Sequence, residues 1–248
     1  MAKTKKVLFL DIDEVFTTSG SRKERELVDE AVFALNKVKK QGYSPFVFIT
    51  ARSGRWVLSD FIPLLKKYNL LGDSVFFCED GAYEIKNKKF ILTGVVKQFT
   101  SKKKLIRKNI QKEIEKQRIE AEDVTEKLGK VVQVRFEPKE KTKENINKVA
   151  KLCKKVLNKL KKQERISHKI KTHPTNSGVN IFPDSISKKN AAKIVARRLK
   201  KEGYKVQGIA IGDKPKDLKM AEAADKFKPK RVLGYKEFLK YLQNEILE

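Results

Sequence analysis

The run Val7-Leu8-Phe9-Leu10 leads without interruption into Asp11-Ile12-Asp13. An apolar run with no alternation has no wet face, so it reads as a strand buried on both sides, as in a parallel sheet. Side chains two apart on a strand share a side, which puts Asp11 and Asp13 together and Ile12 opposite. In open α/β sheets, ligand sites lie beyond the carboxyl ends of the strands. Two acids at such an end are costly to desolvate unless a cation sits beside them, and a divalent metal is the simplest one.

Two further strands end in the same manner. Pro45-Phe46-Val47-Phe48-Ile49-Thr50 runs into Ala51-Arg52-Ser53, and Gly208-Ile209-Ala210-Ile211 runs into Gly212-Asp213-Lys214-Pro215-Lys216-Asp217. The Thr50 hydroxyl, the Arg52 guanidinium and the carboxylates of Asp213 and Asp217 are groups suited to a phosphate or a metal. Between these strands Ser187-Lys188-Lys189 opens an apparent helix, with Ser187 as its N-cap. Each residue also has an ordinary structural reading: Asp217 alone would cap the Leu218 helix, and Thr50 alone would end a strand.

The order of these motifs resembles the haloacid dehalogenase superfamily of Mg-dependent phosphatases. Thr50-Ala51-Arg52-Ser53 is similar to the family's TGRS, Glu79-Asp80-Gly81-Ala82 to its ENGA, and Gly212 to Met220 to its GDxxNDxxM. The likeness covers residues 7–82 and 186–225; the segment between matches by position only. It points to the branch with a large C2-type cap after the third strand, which includes sucrose-phosphate, mannosyl-3-phosphoglycerate and phosphoglycolate phosphatases. The resemblance implies Asp11 as nucleophile and Asp13 as acid and then base. It implies Mg2+ held by Asp11, Asp213 and the Asp13 backbone carbonyl, with Asp217 supporting a metal-bound water. Thr50 and Lys188 would orient the phosphoryl oxygens. Arg52 is assigned to phosphate binding, with an acidic neighbour as its other reading, and Lys189 is the adjacent rival of Lys188. Glu14-Val15 departs from the family's usual Gly-Thr, Asp80 from its Asn, and Lys214 and Lys216 from its frequent Ser and Asn.

Apolar periodicity gives the organisation. Leu27, Val28, Ala31, Leu35 and Val38 form a helical face before Gly42, and Trp56, Phe61, Leu64 and Leu65 a second one that Pro63 should break or kink. With Val75-Phe76-Phe77-Cys78 this makes β-α-β-α-β, a Rossmann-like parallel-sheet core. From Tyr83 the pattern changes to ββαβαββ: a hairpin around Lys86 to Lys89, helices through Ile110 and through Val149, and strands at 131–136, 166–171 and 179–182. Residues 84–184 are therefore expected as an inserted α+β cap, and 1–83 with 185–248 as one discontinuous core. Arg231-Val232-Leu233 is expected as an edge strand, and Phe238 to Ile246 as a terminal helix.

At 248 residues, with 40% hydrophobic and 36% charged side chains, the chain can bury a core. Two cysteines, Cys78 and Cys153, are too few for a disulfide framework. No stretch approaches the ~20 apolar residues of a membrane span, and the first apolar run is too short for a signal peptide, so a cytoplasmic protein is expected. Lys and Arg number 58 against 31 Asp and Glu, a net charge of +27. Their scatter favours a lysine-rich background with only weak, non-specific attraction for nucleic acid. His168 and His173 are expected as solvated surface residues.

The expected activity is Mg-dependent hydrolysis of a small phosphorylated metabolite, such as a sugar phosphate, phosphoglycolate or phosphoglycerate derivative, through an aspartyl-phosphate. A phosphomutase of the same fold and a polyanion-binding protein with a phosphatase core are the alternatives. The cap carries no motif that names the substrate.

Overall fold

The computed structural model describes residues 3–18, 26–92, 94–166 and 169–247. His168 and most of the polar stretch Thr17 to Lys23 fall outside them. The chain divides into two compact units, Met1–Ile91 with Ser187–Glu248, and Leu92–Ile186. In chain order the first contributes β1 (Thr4–Leu10), α1 (Asp29–Lys40), β2 (Tyr43–Ile49), α2 (Gly54–Trp56), α3 (Ile62–Lys67), β3 (Ser74–Cys78), β4 (Tyr83–Lys86) and β5 (Lys89–Leu92). The second holds α4 (Gly94–Lys116), β6 (Ala121–Asp123), β7 (Val134–Pro138), α5 (Lys143–Lys162), β8 (Ile170–Thr175) and β9 (Gly178–Pro183). The first unit resumes with α6 (Lys188–Lys201), β10 (Lys205–Gly212), α7 (Pro215–Leu218), β11 (Lys226–Arg231) and α8 (Tyr235–Glu245).

The core sheet has the order β11-β10-β1-β2-β3-β4-β5. Its first five strands are parallel, and β4 turns antiparallel against β3. Both faces are covered, as the unbroken apolar runs require. Val7, Phe9, Val47, Ile49, Phe77 and Ala210 pack with Ala191, Ala192, Val195 and Leu199 of α6. On the other face Phe48 stacks on Phe76, and Phe16 meets Phe48, Phe61 and Phe238 edge-on at ring-centroid distances of 5.0–5.7 Å. Each fully buried ring or Leu contributes about 1.5–3 kcal/mol of transfer free energy.

Three expectations are corrected here. The hairpin assigned to the cap extends the core sheet: β4 pairs with β3 through Cys78↔Tyr83, Phe77↔Glu84 and Phe76↔Ile85, so the second unit begins at Leu92. The last strand is Lys226–Arg231, ahead of Val232-Leu233. As the sheet's edge it has a partner on one side only, and its Lys, Pro and Arg are edge-protecting residues that give no apolar signal. The third concerns α2 and α3, which are joined by a widened turn over Val57–Phe61. Pro63 lies in the first turn of α3 and has no N–H to continue the preceding ladder, so the expected break is accommodated by that wider turn.

The second unit is a four-stranded antiparallel sheet, β6-β7-β9-β8, with α4 and α5 packed on each other and on the sheet. Ile106, Ile110 and Ile114 of α4 are buried, as are Ile146, Val149, Cys153, Val156 and Leu160 of α5. β6 was missed because Ala121-Glu122-Asp123 is short and polar. Arg135 is buried on this sheet and fully used: Nε bonds Glu137 at 2.7 Å, Nη1 bonds Asn180 at 2.8 Å and Nη2 bonds Ser177 at 2.7 Å. No helix among the described residues is long and apolar enough to cross a membrane.

Candidate active site

β1 delivers Asp11 to the carboxyl end of the sheet, where its N–H still bonds the carbonyl of Ile211 on β10. The carboxylate is buried. Its Oδ1 accepts from the Ile12 N–H at 2.7 Å, and its Oδ2 meets Lys188 Nζ at 2.6 Å. Lys188 is the first residue of α6, placed there by Ser187, whose hydroxyl caps the Asn190 N–H. Gly81 permits that placement. It has φ +96°, and a Cβ on it would stand 2.8 Å from Ala191 Cβ and 3.0 Å from the Ser187 carbonyl.

Lys188 Nζ also lies 2.9 Å from Asp217 Oδ1, a charge contact without hydrogen-bond alignment. Asp217 Oδ2 accepts from the Lys214 N–H at 3.1 Å, which closes the loop between β10 and α7. Such a tight loop needs Gly212, because a Cβ there would lie 2.5 Å from Asp217 Cβ. Asp11, Asp213 and Asp217 thereby gather into a buried acidic group whose ligand oxygens all lie within 4.8 Å of one another. Asp213 receives Lys214 Nζ on Oδ2 at 3.1 Å and Arg231 Nε on its backbone carbonyl at 3.0 Å, while its buried Oδ1 has no hydrogen-bond partner among the described residues.

An orphaned buried carboxylate oxygen beside two more carboxylates is a hard, all-oxygen donor set, which fits Mg2+. Burial, followed by the charges of Asp217 and Asp13, pushes the Asp11 carboxyl up from 3.8 to about 7 against the opposing pull of Lys188. Burial alone would lower Lys188, but Asp11, Asp217 and Asp80 outweigh it and hold the ammonium above its ordinary range.

The remaining expected residues divide. Of the two adjacent lysines, Lys188 is buried against Asp11, whereas Lys189 pairs on the surface with Glu222. Thr50 is buried at the end of β2, where its hydroxyl accepts the Arg52 N–H and the Glu79-Asp80 turn returns N–H bonds to the carbonyls of Arg52 and Thr50. Arg52 takes its second reading, an acidic neighbour. Nε and Nη2 reach Asp13 Oδ1 at 2.8 and 2.7 Å, and the guanidinium lies 3.8 Å from the Trp56 ring centroid. The Asp13 carboxylate is accordingly held by Arg52 and is not part of the three-carboxylate group. Three neighbours went unassigned: Trp56, Arg231 and the Tyr83 hydroxyl, which accepts the Gly54 N–H at 2.6 Å. The Arg52–Trp56 spacing of four could have flagged a stacked pair. Arg231 carries no such signal, because only the parallel pairing Gly212↔Arg231 brings it to the site.

Several solved structures share this fold. One described as a trehalose-6-phosphate phosphatase related protein is 15% identical, with TM-score 0.63 over 96% of this chain and 95% of its own. Trehalose-6-phosphate phosphatase of Aspergillus fumigatus is 11% identical, with TM-score 0.59 over 96% and 91%. IMP-nucleotidase of Plasmodium falciparum is 14% identical, with TM-score 0.59 over 99% and 70%. No sequence among curated proteins matches the chain. The family model described as haloacid dehalogenase-like hydrolase matches residues 8–226, an interval that runs from the strand carrying Asp11 past the loop carrying Asp213 and Asp217. The chain belongs to the haloacid dehalogenase-like hydrolase family.

Proposed function

We propose that the protein is a Mg2+-dependent phosphomonoesterase that acts on a small phosphorylated metabolite through an aspartyl-phosphate on Asp11. The observation that carries this reading is the convergence of Asp11, Asp213 and Asp217 at the carboxyl end of a parallel sheet, with the ammonium of Lys188 against Asp11 and Asp217. Phosphatase and nucleotidase names on solved structures of the same fold give it direction. Asp11 attacks phosphorus through one carboxylate oxygen and expels the alkoxide. Asp13, oriented by Arg52, gives that oxygen a proton and then takes one from the water that cleaves the acyl phosphate. Lys188 and the Thr50 hydroxyl orient the phosphoryl oxygens, and Lys188 offsets their charge. Asp11, Asp213 and the Asp13 carbonyl would hold Mg2+, with Asp217 supporting its water; when bound, the ion supplies positive charge to the phosphoryl oxygens. Sugar phosphates, phosphoglycolate and phosphoglycerate derivatives are the substrates to screen.

The test is turnover of an activated aryl phosphate with and without Mg2+, together with phosphate release across a metabolite panel. Asp11→Asn should lose nearly all activity while its circular dichroism is unchanged. A folded Asp11→Asn protein with wild-type turnover would place the nucleophile elsewhere. Return of the phosphoryl group to an acceptor, in place of free phosphate, would identify a mutase.

A further inference from the structure

Part of the charge excess is concentrated on one helix of the second unit, α5. Along α5, Lys148, Lys151, Lys155, Lys159 and Lys162 recur at three- and four-residue spacing and are all exposed, with Lys154 beside them. At 1.5 Å per residue the row is about 21 Å long. Lys151 to Gln163 flank an open groove of about 650 Å3 whose lining contains no carboxylate. Helix α4, packed against α5, repeats the pattern at every fourth residue from Lys104 to Lys116.

Some lysines elsewhere on the surface find carboxylates: Lys67 with Asp29, Lys200 with Asp225, Lys228 with Glu245. Among the described residues, none of the α5 row is in an ion pair. The charges of Lys155 and Lys159 act on Glu113 of α4, whose carboxylate is already bonded by Gln117 at 2.6 Å. Like charges three and four apart destabilise a helix. A row that keeps them without a single interposed acid is therefore built for an external anion more than for its own stability.

We propose that this helical face docks the phosphate backbone of a nucleic-acid duplex, without reading its sequence. A duplex presents one charge per ~1.7 Å of axis, enough to match a straight lysine row along its whole length. Single strands are held by bases stacked on aromatic side chains, and membrane surfaces by apolar side chains inserted among lipids. Among the described residues this face offers neither: the large exposed hydrophobic residues among them are Phe33, Ile91, Phe227 and Leu233, all outside α4 and α5. The inference is independent of the proposed phosphatase activity.

The experiment is fluorescence anisotropy of a labelled 20-base-pair DNA duplex with the full chain between about 50 and 200 mM salt. Four to five backbone contacts give a slope of about −4 in log K against log salt. Replacing Lys151, Lys155 and Lys159 together by Gln should weaken binding at least tenfold at low salt and flatten the slope by about 2.7. Turnover of an aryl phosphate should not change, and the melting temperature should rise as repulsion is relieved. Gln preserves helix propensity, and the single Lys155→Gln variant offers a milder second reading. A control with Lys40, Lys236 and Lys240 replaced by Gln removes the same charge from the other unit and should cost less than threefold. Equal losses in the two triple variants would reduce the effect to net charge and overturn the proposal. Tighter binding to a single strand, or binding to phosphatidylserine vesicles in preference to the duplex, would overturn it as well.

Discussion

Lys188 and Asp11 depend on each other, because both are buried and each favours the charged form of the other. Removing the ammonium by Lys188→Met should leave Asp11 and Asp217 facing one another without compensation. Activity should fall by at least a hundredfold, and the metal-free protein should unfold at lower urea; unchanged turnover would remove Lys188 from the site. A pH dependence follows from Asp11. Its carboxyl titrates at about 7 in the folded metal-free protein and at 3.8 as an unperturbed group, so folding favours the protonated form. That contribution is fully present below about pH 4 and is lost as the pH rises through about 7. In EDTA, the wild type should therefore lose stability relative to Asp11→Asn between pH 4.5 and 7.5, as read by urea midpoints. Parallel curves for the two proteins would refute the shift. Glu14 supplies a third residue-scale expectation. It stands at φ +64°, where the family usually has Gly. A left-handed backbone costs a side-chain-bearing residue roughly 1–2 kcal/mol, partly regained as unfolded-state entropy. Glu14→Gly should stabilise the protein by up to about 1 kcal/mol in urea denaturation, without loss of turnover.

Among the elements, the loop from β10 to α7 is the most tightly specified. Gly212→Ala would press a methyl group against Asp217 and push its carboxylate out of the acidic group. We expect a loss of about 1–3 kcal/mol of stability from overpacking, together with weaker Mg2+ dependence of turnover. Wild-type metal dependence would show that the loop can give way. The same loop illustrates what a sequence discloses. Strands β1, β2, β3 and β10 were legible because burial on both faces leaves an unbroken apolar run, and Asp11, Thr50, Lys188, Asp213 and Asp217 were legible because they follow such runs or open the next helix. Edge elements were not: β6 and β11 are polar, and the Tyr83–Leu92 hairpin looked like part of the insertion because its pairing with β3 is a tertiary choice. Nor could spacing show that Arg52 would turn to Asp13, since that contact joins residues 39 apart.

At the scale of the molecule, charge is the property that one dimension hides best. The lysine excess looked scattered because α4 and α5 spread their cations over some sixty residues, and only helical periodicity gathers them on the outward sides of the two helices. A central core strand has a comparable long-range dependence. β1 is flanked by β2, which follows it closely, and by β10, which begins at Lys205. As the chain leaves the ribosome, β1 can pair along one side at once, but its other side must wait until Gly212 has emerged. Until then Val7 to Leu10 present an unpaired apolar margin, and Asp11 lacks its companion acids. Truncation after Lys201 should give a nascent product that aggregates or recruits a chaperone, whereas one ending after Arg231 should resist protease. The candidate active site is thus complete only once β10 and the loop after it have joined the sheet, so that hydrolytic competence reports completion of the sheet.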